Sequence, residues 1–161
     1  GVDVMDNRDS PGGRIKPMVS IKSISEARAR FATLFDEAAL KGREVICENA
    51  RMSSPRRVSI VSTQLLEEWL ANAYRFSPTI ERDETTGAWQ VFLDEISIYT
   101  WADDKDAAVE QAVDLALDYA QDYLDRLDLF LNVADRRRHY PYLLRLAHAA
   151  SRDEARKILG F

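Results

Sequence analysis

Residues 103–132 carry the periodic signal that most constrains the fold of this chain. Val109, Ala112, Val113, Ala116, Ala120, Tyr123, Leu124 and Leu127 fall on one face of a helix, while Asp106, Glu110, Asp114, Asp118 and Asp122 recur at four-residue spacing on the opposite face. Apolar residues so placed describe a long helix that buries one stripe and leaves the other wet. Asp103 or Asp104 stands where a side chain can cap its first turn.

The segments around this helix alternate between strand and helix signals. Residues 79–83, 88–93 and 96–101 read as three strands, and Glu84-Thr85-Thr86-Gly87 has the composition of a hairpin turn. Two further helices are expected at 140–149 and 152–159. The basic run Asp135-Arg136-Arg137-Arg138-His139-Tyr140 could touch nucleic acid, with Tyr140 available to stack. The favoured reading is a joining segment whose arginines pair with the acidic stripe.

In the first half, residues 1–17 are rich in Asn, Asp, Gly and Pro and read as unfolded. Residues 18–24 read as a short strand. Ser25 is expected to cap a helix whose apolar positions Ala27, Phe31, Leu34, Phe35, Ala38 and Ala39 run to a stop at Lys41-Gly42. Residues 44–48 and 57–61 read as strands joined by a turn over 49–55. Ser62 or Thr63 then caps a helix carrying Leu65, Leu66, Trp69, Leu70 and Ala73. Ser77-Pro78 marks a boundary. The expected fold class is α+β: a βαββα domain over 18–76, then a helix-rich α+β domain with a small sheet over 77–161.

Charge divides along the same line. Residues 1–76 carry 12 Lys+Arg against 10 Asp+Glu, and residues 77–161 carry 10 against 17, giving nets of +2 and −7. Such asymmetry suggests partners of opposite charge for the two halves. Within the basic half, Lys22, Arg28 and Arg30 surround the start of the first helix, where cations and unpaired backbone amides converge as phosphate binding requires. A solvated helix face would look the same.

A resemblance bears on this choice. Ser23-Ile24-Ser25-Glu26-Ala27-Arg28, Phe31, Glu44-Val45-Ile46, and Val58-Ser59-Ile60-Val61-Ser62 before Leu65 and Trp69 occur in the order found in the Phd/YefM antitoxin domain. Residues 18–74 resemble that family. The resemblance implies a homodimer that binds its own operator DNA as a repressor, with Arg28 at the position of the family's DNA-contacting arginine. Lys22 and Arg30 are candidates by location. Relatives often carry a basic residue just after the second strand. Here Cys47-Glu48-Asn49-Ala50-Arg51 stands there, so that role could shift to Arg51, Arg56 or Arg57, or be absent.

The second half loosely resembles a HicB-type antitoxin domain over residues 81–89 and 104–112. The two halves together resemble Phd-like antitoxins of RelE/RelB-type systems. That resemblance implies a cognate toxin as partner, a RelE-like ribonuclease that is small and basic because it docks on RNA. Glu110, Asp114, Asp118 and Asp122 would then steer and cover it, unless they serve only solubility.

Other classes find little support. No apolar run approaches the roughly 18 residues that span a bilayer, so no membrane partner is expected. The lone Cys47 and the lack of a signal pattern suit a cytoplasmic protein. Cys47 itself reads as core. His139 and His148 lack companions at metal spacing. Neither a Gly-rich phosphate loop nor a Ser/His/Asp set is present, and carboxylates such as Asp83 and Asp94 are too common here to indicate a metal nuclease. Neither enzyme activity nor a cofactor is expected. The alternatives kept open are a solitary DNA-binding transcriptional regulator and a dimeric interaction protein without DNA binding.

Overall fold

The computed structural model describes residues 12, 13, 15–51 and 53–161. The unfolded character expected of residues 1–17 lies largely outside them. The chain forms two compact units that divide between Leu66 and Glu67.

The first unit holds β1 (Ser20–Ser23), α1 (Ile24–Ala29), α2 (Phe31–Lys41), β2 (Val45–Asn49), β3 (Arg56–Ile60) and the first turn of α3 (Thr63–Ala73). Its sheet has the order β1-β2-β3. β1 and β2 are parallel, with Ser20 beside Val45, and β3 returns antiparallel, with Ile60 opposite Val45. A parallel pair needs a crossover, which α1 and α2 supply.

The cap of α1 is Ser23 rather than the expected Ser25. The Glu26 amide donates to Ser23 Oγ at 3.1 Å, and the Ser23 hydroxyl donates to Glu26 Oε1 at 3.4 Å. This S-x-x-E pairing uses the three-residue spacing of a capping box. The single helix expected as far as Lys41 is interrupted at Arg30, whose φ of −124° and ψ of 25° leave helical values. Gly42 ends α2 in the left-handed region at φ 68°, with its amide donating to Ala38 O. Ala27, Leu34 and Val45 are buried together, with Cys47 and Ile60 packed against them.

The second unit is built on β4 (Thr79–Arg82), β5 (Trp89–Leu93) and β6 (Ile98–Ala102), antiparallel in the order β4-β5-β6. In the β4–β5 turn, Asp83 Oδ1 accepts from the Thr85 amide at 2.8 Å. β6 starts at Ile98 instead of residue 96, because a 3-10 turn, Asp94–Ile96, and a left-handed Ser97 come first. α4 (Lys105–Asp125) lies against β5, β6 and α7 (Tyr140–Ala147). Its buried face carries Ala108, Ala112, Ala116 and Ala120. Short side chains there let the helix approach the sheet closely.

The expected run of this helix to residue 132 stops at Arg126. There the chain turns into α5 (Leu127–Leu131), and Phe130 stacks on Tyr123 with centroids 4.7 Å apart. The basic run forms a further short helix, α6 (Ala134–Arg137), and α8 (Arg152–Ile158) follows α7. Val91, Leu93, Ile96, Tyr123, Leu143 and Leu159 sit in one continuous core.

The sequence places the domain junction at Ser77-Pro78, whereas the compact units divide within α3. Past that division, residues 67–74 bond to α7 and to the residue that follows it. Glu67 Oε1 lies 3.0 Å from His148 Nδ1, and Arg145 donates to Tyr74 O at 3.0 Å.

Candidate functional site

Two surfaces answer to the two groups of residues singled out by sequence. On the first unit, Lys22 comes from β1, Arg28 from α1 and Arg30 from the break between the helices. Lys22 and Arg30 share a groove with Arg43, Glu37 and Glu44. Lys22 Nζ stands 4.0 Å from Glu26. Lys41, the first influence, then Arg43 and Arg30 hold the Glu37 carboxyl below its usual range. The groove is therefore a mixed-charge surface with cations in excess. Arg43 belongs to it and escaped the sequence reading, since only the fold brings it beside Lys22.

Arg28 lies elsewhere, on a groove of about 530 Å³ lined by Ile24, Ala27, Phe31, Cys47, Val58 and Ile60. The register explains the groove. Val58 pairs with Cys47 and so shares the face on which Val45 and Ile60 pair, yet α1 and α2 do not cover that end. Ile24, Phe31 and Val58 remain 52%, 55% and 65% exposed. Of the residues considered for the displaced basic role, Arg57 is bound to Glu48 at 2.9 Å, and Arg51 and Arg56 are exposed.

On the second unit the acidic residues of α4 are largely answered from within. Arg152 donates to Glu110 Oε2 at 2.6 Å and also pairs with Asp114, while Arg156 reaches Glu110 Oε1 at 3.2 Å. Asp122 is held by Arg126 at 2.6 Å. These arginines, Arg152 foremost for Glu110 and Arg126 for Asp122, keep both carboxyls below their usual range. Asp118 is exposed and has no ion-pair partner among the described residues. The basic run expected to pair with this stripe does not. Arg136 donates to the Tyr119 phenol, Arg137 to Leu131 O and Arg138 to Asp135 O. The pairing falls to α8, whose arginines lie about forty residues from their partners.

His139 is buried, with Nδ1 2.7 Å from the Tyr119 phenol. The same phenol oxygen accepts from Arg136 Nη1 at 3.0 Å. Nε2 itself has no partner among the described residues. Burial, reinforced by Arg138 and Arg136, pushes this imidazole down to about 4. Among the described residues, no three His, Cys, Asp or Glu side chains are grouped to hold a metal ion. No described helix is long and apolar enough to cross a membrane.

The profile of the PHD-like family, described as the antitoxin of RelE/RelB toxin-antitoxin systems, matches residues 18–160. The chain belongs to this antitoxin family. The resemblance of the two halves together to Phd-like antitoxins of RelE/RelB-type systems thus holds over residues 18–160, and the protein is the antitoxin of a toxin-antitoxin system. No curated protein matches it. In fold, the antitoxin is similar to a crystal structure from Syntrophomonas wolfei subsp. wolfei described as the antitoxin part of a toxin/antitoxin system. The TM-score is 0.72 at 19% identity, over 87% of this chain and 96% of that one. The α+β architecture expected from sequence is shared with that structure.

Proposed function

We propose that this antitoxin neutralises a RelE-like ribonuclease and represses its own operon as a cytoplasmic homodimer. It acts by binding, not as an enzyme. The observation that carries the reading is the RelE/RelB-type antitoxin profile spanning both units. The open apolar groove of the first unit supports the dimer. A second copy would cover Ile24, Phe31 and Val58 and bring two copies of Arg28 toward a two-fold axis, as a palindromic operator rewards. Lys22 and Arg30, on the neighbouring groove, would add phosphate contacts.

The test pairs growth rescue with operator binding. Co-expressing the chain with the toxin of the adjacent reading frame should restore growth, and the purified chain should bind its promoter DNA with a steep salt dependence. Arg28→Ala should weaken DNA binding about tenfold and flatten the salt slope while leaving rescue intact. Unchanged DNA affinity in that variant would remove Arg28 from the interface. Absence of promoter binding by the wild-type chain would end the repressor reading.

A further inference from the structure

The second sheet has an outer face that the core does not use. Along β6, Ile98 and Thr100 are buried, while Tyr99 and Trp101 point outward, 49% and 70% exposed. The register sets Thr79, Phe92 and Tyr99 in one row and Glu81, Gln90 and Trp101 in the next. Phe92 and Tyr99 meet edge to face at 5.7 Å. Beyond Trp101 comes the exposed Asp103.

The face thus offers three aromatic rings and the Glu81 carboxylate, and the exposed Asp103 follows just past the end of β6. By the same register Arg82 lies on the opposite face with Trp89, and both Arg82 and Lys105 are held over that ring.

This chemistry selects its partner. Carboxylates beside the rings would repel phosphate, so the platform is unsuited to stacking nucleic acid, which needs cations along the backbone. Guanidinium groups suit it on both counts. They stack on tryptophan and tyrosine faces and pair with adjacent carboxylates. Exposed Trp and Tyr are also the residues that most often anchor protein interfaces. The acidic stripe of α4 offers less, because arginines of its own unit already occupy Glu110, Asp114 and Asp122.

We infer that the outer face of the β4-β5-β6 sheet, centred on Tyr99 and Trp101 with Glu81 and Asp103, is the surface that grips the cognate toxin, through arginines the toxin uses to hold RNA. The inference rests on the reading of the partner as a basic ribonuclease and moves its docking site from the acidic helix to the sheet.

The experiment is calorimetric titration of the full chain with the purified toxin of the adjacent reading frame, backed by growth rescue. Trp101→Ala and Tyr99→Ala should each weaken binding about tenfold or more, with melting temperatures near that of the wild type. Glu81→Lys, an exposed change clear of the core, should also weaken binding and serves as the readout if an aromatic variant fails to fold. Asp118→Asn should bind within about twofold. Wild-type affinity in the Trp101, Tyr99 and Glu81 variants would overturn the inference while leaving the antitoxin–ribonuclease pairing intact, as would a loss confined to Asp118→Asn. Failure of the wild-type chain to bind the toxin would take down both.

Discussion

The first unit buries Ala27, Leu34 and Val45 against its sheet and leaves Ile24, Phe31 and Val58 in water, whereas the second sinks Val91, Leu93, Ile96, Tyr123, Leu143 and Leu159 into one continuous core. Small domains bury too little of their surface to be comfortably stable alone, and an open apolar patch marks an interaction surface. The difference teaches that the two units close their cores to different degrees. The second closes its core with its own side chains, and its own arginines answer Glu110, Asp114 and Asp122 of α4. The first leaves part of its apolar face uncovered, the face on which the proposed second copy would sit.

The sharpest way to strain this contrast is a cavity in the closed core. Leu143→Ala should cost about 3–4 kcal/mol, at a denaturation midpoint that does not depend on protein concentration. A much smaller loss would mean the second core is not self-sufficient. Acid should act on the same unit nearly as strongly. His139 is neutral and buried, with its folded pKa depressed to about 4 from an ordinary 6.5. Below the ordinary value the unfolded chain takes up a proton that the folded chain refuses. Stability is therefore complete above that value, falls as pH drops toward the depressed one, and levels off below it. The total loss should be about 3 kcal/mol, read by urea melts from pH 7 to pH 4 and largely abolished in His139→Gln.

The first unit is probed by dilution. Phe31→Asp should weaken self-association about a hundredfold or more, because the new charge would have to be buried. Sedimentation would show the variant as a monomer where the wild type dimerises. A wild-type monomer at every concentration would break the comparison outright. The smallest effect belongs to the acidic helix. Glu110→Gln should cost no more than about 1 kcal/mol at neutral pH, since the site is half exposed and screened. The depressed carboxyl contributes above its unfolded pKa and ceases to as pH falls through the folded value. The gap between variant and wild type should thus close in acid and shrink in high salt.

Local signals in the sequence anticipated most of this architecture. The strands and helices lie close to where periodicity and turn residues place them, and Ser23 could have been chosen over Ser25, because Glu26 stands three residues on. The breaks at Arg30 and Arg126 carry no Gly or Pro to announce them. The second follows from the packing of Phe130 on Tyr123, a contact made only after the chain turns. The candidate surfaces were less legible. Lys22, Arg28 and Arg30 are close in sequence but divide between two grooves, since Lys22 stands on β1, Arg28 on α1 and Arg30 at the break that follows. The pairing of Glu110 with Arg152 and Arg156 joins distant segments that no local pattern links. The alternation of Ile98, Tyr99, Thr100 and Trp101 was visible, but it could not show which side would lie against α4.

The alanines at 108, 112, 116 and 120 also say how this protein can vary. Each is buried on a helix that packs against β5, β6 and α7. Adding even one methylene group would force the sheet or α7 outward, at a cost of about 1–3 kcal/mol. Mutational drift along α4 should therefore be one-sided. Gln111, exposed on the helix, should diverge more readily than the alanine positions, which admit little beyond glycine or serine. The history of the family should be written on the wet side of this helix and nearly blank on the dry one.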